Sequence, residues 1–207
     1  MPLIIAHRGA CLEAPENTLA AFEKAIDAHA DMLEFDVRRA PDGTLVISHD
    51  AVRGSGADLP TLDETLRITK GRIQLDVELK ESGCEGDVCG LLLEYFPLTE
   101  FCITSFLPNV LHDIRSVHPN VRTGLIFAVW NDSVRETYRS SDVDLLVAHH
   151  SVLKEAERLG KPLFFWTVDE PALMRTLLTH PLVEGIVTND PRRGVSLRDD
   201  LLSFSTR

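Results

Sequence analysis

The chain has 207 residues, with 21 Lys and Arg against 32 Asp and Glu and a formal charge of −11. That balance argues against broad-surface binding to nucleic acid or an anionic membrane, though it leaves room for a small phosphate pocket with local basic residues. The length suits one domain over 1–207 with a sizeable core, and no apolar stretch is long enough to span a bilayer.

In chain order, strands and helices alternate. Residues 3–6 form a first apolar strand, not a signal peptide, because no basic n-region precedes them and Arg8 follows after a short apolar run. Asn17 is placed to cap a helix reaching about His29, with Leu19, Phe22 and Ile26 on one stripe. In the strand over 32–39, Glu34 and Asp36 share a face while Leu33, Phe35 and Val37 take the other. Pro41-Asp42-Gly43 is a turn, and 44–48 extends toward His49. A short helix over 60–69 leads to a strand over 72–80. There Gln74, Asp76, Glu78 and Lys80 share one face and Ile73, Leu75, Val77 and Leu79 the other. Then come a helix at 87–96, a strand at 101–105, and a helix opened by Pro108 and running to His118. A strand at 122–128, a helix at 132–138 and a strand at 144–148 lead into a helix at 152–159 that Gly160 stops. A strand at 162–168, a helix at 171–179, a strand at 185–188 and a helical tail over 191–204 complete the chain. Eight strand-then-helix units favour an α/β fold closed as a (β/α)8 TIM barrel over a doubly wound sheet.

In such a barrel the chemistry gathers where strands end and loops begin. His7, Glu34, Asp36, His49 and Glu78 all fall late in strands or just beyond them. Two carboxylates on one face of an otherwise apolar strand repel each other and lose hydration. A cation between them removes both problems, and oxygen-only ligands favour a hard ion, Mg²⁺ or Ca²⁺. Each residue also has a plainer reading. His7 alone fits a buried, hydrogen-bonded histidine. Glu34 and Asp36 fit ion pairs with Arg38 or Arg8, and Asp76, Glu78 and Lys80 an internal charge network. Those readings must explain separately five acids and histidines at one rim. His29, His112, His118 and His180 read as surface residues; Cys11 can face the site, with small-residue packing the favoured reading. Cys11, Cys84, Cys89 and Cys102 form neither a C-x-x-C pair nor a zinc pattern, so a reduced, cytoplasmic setting is expected.

His7-Arg8-Gly9, Glu16-Asn17-Thr18, Glu34-x-Asp36, His49-Asp50, Glu78-x-Lys80, Thr104-Ser105-Phe106, Trp166-Thr167-Val168 and Gly185-Ile186-Val187-Thr188 occur in one order. Together they resemble the glycerophosphodiester phosphodiesterases, over nearly the whole chain. The resemblance implies a TIM barrel that hydrolyses glycerophosphodiesters to sn-glycerol 3-phosphate and an alcohol. It implies one divalent cation, Mg²⁺ or Ca²⁺, on Glu34, Asp36 and Glu78. His7 and His49 would be general acid and base, in an order the sequence does not give. Arg8 and Lys80 would hold phosphoryl oxygen, Trp166 would present an edge to substrate, and Glu16 would orient Arg8. The partner is then a small-molecule phosphodiester, with no nucleic acid and no stable membrane insertion. Two alternatives are a phosphodiesterase for lysophospholipids or another alcohol diester, and a non-enzymatic binding module on the same barrel. Retention of both histidines, the three acids and Lys80 speaks against the second.

Two departures stand out. Family members usually carry a sizeable insertion after the His-Asp pair. Here 51–58 is short, and Leu59-Pro60-Thr61-Leu62 already resembles the next helix. Thr188-Asn189 also stands where a threonine-aspartate pair is more usual. The short loop predicts an open site with weak discrimination among head groups, unless the second chain of a homodimer supplies the missing wall.

Overall fold

The computed structural model of the chain describes residues 1–205. The strands are β1 (Leu3–His7), β2 (Met32–Arg39), β3 (Leu45–Ile47), β4 (Gln74–Leu79), β5 (Phe101–Ser105), β6 (Thr123–Phe127), β7 (Leu145–His149), β8 (Leu163–Trp166) and β9 (Val183–Thr188). All but β3 run parallel, from β1 through β2 and β4 round to β9 and back to β1, so the eight close into the expected barrel. β3 lies antiparallel on β2 and carries the chain back toward His49. The helices are α1 (Leu19–Asp27), α2 (Leu62–Thr69), α3 (Glu85–Tyr95), α4 (Pro108–Val117), α5 (Asp132–Ser140), α6 (Leu153–Ala156), α7 (Pro171–Leu178) and α8 (Pro191–Ser205). None of them is long and apolar enough to cross a membrane.

Two local expectations are corrected. Asn17 does not cap α1. Thr18 does, its hydroxyl accepting from the Ala21 N–H at 3.2 Å, and Asn17 turns inward with φ 56°. The helix expected over 152–159 is a single α turn flanked by 3-10 turns, although Gly160, at φ 66°, does end it.

Strand alternation divides the molecule into an inner and an outer core. Outward residues such as Leu33, Phe35 and Val37 pack against the helices, and the Phe22 and Phe35 rings meet at 5.7 Å. Inward residues fill the barrel: Ile5, Met32, Cys102, Ile126, Leu145, Val147, Phe164 and Val187. Parallel register stacks the inward side chains in layers. His7 stands level with Glu34, Glu34 with Asp76, and Asp36 with Glu78. The upper interior is therefore polar along β1, β2 and β4 and apolar along β6 to β9. Gly9 lets the β1–α1 loop close on α1. Its φ is +87°, and a Cβ there would lie 2.7 Å from the Ala21 backbone.

Candidate active site

A cavity opens at the carboxyl ends of the strands. His7, Arg8, Glu34, His49, Glu78, Lys80, Phe106 and Trp166 are among the residues lining it. Of the groups expected at the site, Glu34, Asp36 and Glu78 are buried and each offers one carboxylate oxygen, all within 4.8 Å of one another. Glu34 Oε2 accepts the Arg8 backbone N–H at 2.8 Å, a bond made available by the left-handed turn at Arg8, φ 53°. Such a turn costs a non-glycine residue on the order of 1–3 kcal/mol and is typical of functional loops. Asp36 Oδ2 accepts from Asn17 Nδ2 at 2.8 Å and lies 3.2 Å from Arg8 Nε. Lys80 Nζ donates to Glu78 Oε1 at 2.6 Å. It also lies 3.2 Å from Asp36 Oδ1 but out of hydrogen-bond alignment, so that buried oxygen has no donor. Arg8 Nη1 reaches out to Glu16 Oε1 at 2.9 Å, where Glu16 was expected to orient it. Arg38, an alternative partner for the acids, instead pairs with Glu81 and donates to the His49 carbonyl.

Burial decides the protonation of this cluster. Desolvation, then repulsion from Asp36 and Glu78, holds the Glu34 carboxyl well above the ordinary range. Burial followed by Asp36 pushes Glu78 up to about 7 against the pull of Lys80. Burial pushes Asp76, level with Glu34, up to about 6 although Thr104 donates to it at 2.7 Å. For Asp36, burial is outweighed by Lys80, Asn17 and Arg8, and its carboxyl lies below the ordinary value. Four buried carboxylates thus face two bases, Arg8 and Lys80. Fully ionised, they leave the charge that one divalent cation balances. Oxygens held 2.0–2.6 Å from a shared ion lie up to about 5 Å apart, so the donor set fits a hard cation. Protons fill that role in the raised pKa values.

His7 closes β1, and its Nδ1 lies 2.7 Å from Asn189 Oδ1. Burial draws its pKa below the ordinary value, against the raising effect of that bond. His49 is more exposed, with Nδ1 3.0 Å from the Asp50 carboxylate. On the apolar side, Trp166 donates through Nε1 to the Val147 carbonyl at 3.2 Å and meets Phe106 edge-on at 5.7 Å. The His149 ring packs on Trp166 at 5.2 Å and on His150 at 4.3 Å, extending an aromatic ledge along the rim. Lys80 lies 5.8 Å from the Phe106 ring.

Residues 7–107 match the glycerophosphoryl diester phosphodiesterase family. The family model, the curated relatives and the solved structures all identify that family. It is 26% identical to the glycerophosphodiester phosphodiesterase of Caldanaerobacter subterraneus, with 94% of this chain and 97% of the relative covered. It is 28% identical to a putative glycerophosphodiester phosphodiesterase of Bacillus subtilis, covering 91% and 94%. The first alignment runs to 236 positions, more than the 207 residues here, so that relative carries segments this phosphodiesterase lacks. Among solved structures, a phosphodiesterase of Oleispira antarctica in complex with the product sn-glycerol-3-phosphate superposes with a TM-score of 0.82. It is 22% identical, over 96% of this chain and 97% of that one.

Sequence reasoning missed four polar residues of the site. Asn17 was read as a helix cap and instead holds Asp36. Asp76 was placed on the inward face and read only as a member of a charge network with Glu78 and Lys80. Asn189, just after β9, bonds His7 and is itself held by Asp169, which lies beyond β8. Cys11, read as packing, is half-buried at the site, with Sγ 3.1 Å from Asn189 Oδ1. Asn189 did carry a signal, as a departure from the usual threonine-aspartate pair. His180 also differs from the surface reading: it is half-buried, with Nε2 2.9 Å from Glu157 Oε1.

Proposed function

We propose that this phosphodiesterase hydrolyses glycerophosphodiesters to sn-glycerol 3-phosphate and an alcohol, using one divalent cation, Mg²⁺ or Ca²⁺, held by Glu34, Asp36 and Glu78. The observation that carries the proposal is the convergence of those carboxylate oxygens within 4.8 Å, in a cavity that His7 and His49 also line. When bound, the cation supplies charge neutralisation at a phosphoryl oxygen. Arg8 and Lys80, freed in part from the carboxylates they now hold, bind the remaining phosphoryl oxygen. Glu16 keeps the Arg8 guanidinium in place. One histidine takes the proton of the attacking hydroxyl, from water or from the substrate's own glycerol, and the other protonates the departing oxygen. Trp166 and Phe106 form an apolar wall for the carbon skeleton. The product bound to the Oleispira relative agrees with this substrate class.

The test is release of sn-glycerol 3-phosphate from glycerophosphocholine, with Mg²⁺ or Ca²⁺ and again after chelation. Turnover that chelation abolishes is expected. Folded protein with no turnover in either cation, or full turnover after exhaustive chelation, would refute the proposal. Phe106, lining the cavity yet 44% exposed, favours a second reading in which the alcohol or glycerol bears an acyl chain. Lysophosphatidylcholine as a parallel substrate separates the two.

A further inference from the structure

Asp169 follows β8, Asn189 follows β9 and His7 ends β1, so three neighbouring strands deliver these side chains to one line. Asp169 Oδ1 accepts from the Asn189 backbone N–H at 2.8 Å and from the Thr188 hydroxyl at 2.9 Å. Asp169 Oδ2 lies 2.6 Å from Asn189 Nδ2. A carboxylate only accepts, so the Asn189 amide must turn its NH₂ toward Asp169. Its carbonyl oxygen then faces His7 Nδ1 at 2.7 Å and Cys11 Sγ at 3.1 Å. An oxygen only accepts as well, so the hydrogen on His7 sits on Nδ1 and the Nε2 lone pair is left open.

We infer that Asp169 and Asn189 are positioning residues that lock His7 in the Nδ1–H tautomer and so make it the general base of the reaction proposed above. In that role His7 Nε2 takes the proton of the attacking hydroxyl as the new P–O bond forms. The Nδ1–H keeps its bond to Asn189 while the ring carries the added charge. The departing oxygen takes its proton from the other histidine. This assignment of roles rests on the functional reading; the tautomer rests on the hydrogen-bond line alone.

The chain of acceptors makes a sharp test. In Asp169→Asn the new amide must keep its oxygen toward the Asn189 backbone N–H, which can only donate. Its NH₂ then faces the Asn189 side chain, which has to flip and present its own NH₂ to His7. The hydrogen on the neutral ring moves to Nε2, where it blocks the base. The expected result is a fall in kcat on the order of 10²–10⁴-fold with KM within a few-fold. Imidazole ¹⁵N NMR at a pH where His7 is neutral should report Nδ1–H in the wild type and Nε2–H in the variant. The double variant Asp169→Asn with Asn189→Asp restores an acceptor-only group beside His7. It should return the Nδ1–H signal and recover at least about tenfold of the lost kcat. A wild-type ring protonated on Nε2 overturns the inference, whether or not any variant folds. So does a single variant whose tautomer and kcat both match wild type, or a double variant no better than the single. Failure of the functional reading shows separately, as wild-type protein that releases no glycerol 3-phosphate from glycerophosphocholine.

Discussion

If Glu34, Asp36 and Glu78 hold a divalent cation, cation and protons compete for the same oxygens, and affinity must climb with pH. Glu78 sets the scale. Its carboxyl is raised by burial and by Asp36 to about 7, so in the cation-free protein at pH 5 about one molecule in a hundred has it ionised. At pH 8 nearly all do. Raising the pH from 5 to 8 should therefore tighten binding by about 10², or about 2.7 kcal/mol, from this group alone. Glu34, also raised, adds to the effect in the same direction. The sign for stability follows from the same shift. The cation-free fold binds a proton that the unfolded chain has already lost, so its stability falls as pH rises from 4.5 through 7, by about 3 kcal/mol for Glu78. The assay is isothermal titration of chelator-stripped protein with Ca²⁺ or Mg²⁺ at several pH values, in paired buffers of different ionisation enthalpy to count released protons. Glu78→Gln, which cannot ionise, should bind weakly with a flatter pH dependence. Wild-type affinity that changes less than about threefold between pH 5 and 8, with no proton release, would refute competition at this cluster.

Other outcomes follow from single contacts. His7→Ala and His49→Ala should each lower kcat on the order of 10²–10⁴-fold with the far-UV dichroism unchanged; near wild-type turnover would make that histidine structural. Gly9→Ala combines a φ of +87° with a Cβ 2.7 Å from the Ala21 backbone. It should cost about 1–3 kcal/mol, read as a drop of about 5 °C in Tm, and an unchanged Tm would mean the β1–α1 loop is free to shift. If the short 51–58 loop leaves the site open, kcat/KM for glycerophosphocholine, glycerophosphoethanolamine and glycerophosphoglycerol on monomeric protein should agree within about a hundredfold; a wider spread would mean that loop builds a selective wall.

The barrel was legible because its signals are local and repeated. Alternation along 32–39 and 72–80 fixed which face carries the acids, and parallel register then brought Asp36 level with Glu78. A helix stop such as Gly160 is written in one residue, and the structure keeps it. The flaw in the α1 boundary has a physical origin. Asn17 and Thr18 are both good caps by type, and only the chain path decides between them. Asn17 is drawn inward because Asp36 Oδ2 is buried and needs a donor, a demand that no local pattern reveals.

The same distinction separates the acidic cluster from the line that ends at His7. Glu34, Asp36 and Glu78 sit on two strands whose pairing follows from the fold, so their meeting could be expected before any coordinates. His7, Asn189 and Asp169 come from the two ends of the chain, and their contact depends on β9 closing the barrel against β1. Closure also explains why the polar and apolar halves of the mouth face each other. β1, β2 and β4 bring charge from the first half of the chain, while β6 to β9 bring Ile126, Val147, Trp166 and Val187 from the second. A phosphodiester has the same two-sided character, an anionic phosphoryl group joined to carbon chains. A site built this way can hold the phosphoryl group tightly on one side while contacting the alcohol only through apolar surface on the other. Tight hold on phosphate with loose hold on the head group is the chemistry expected of an enzyme that accepts many diesters and releases one common product.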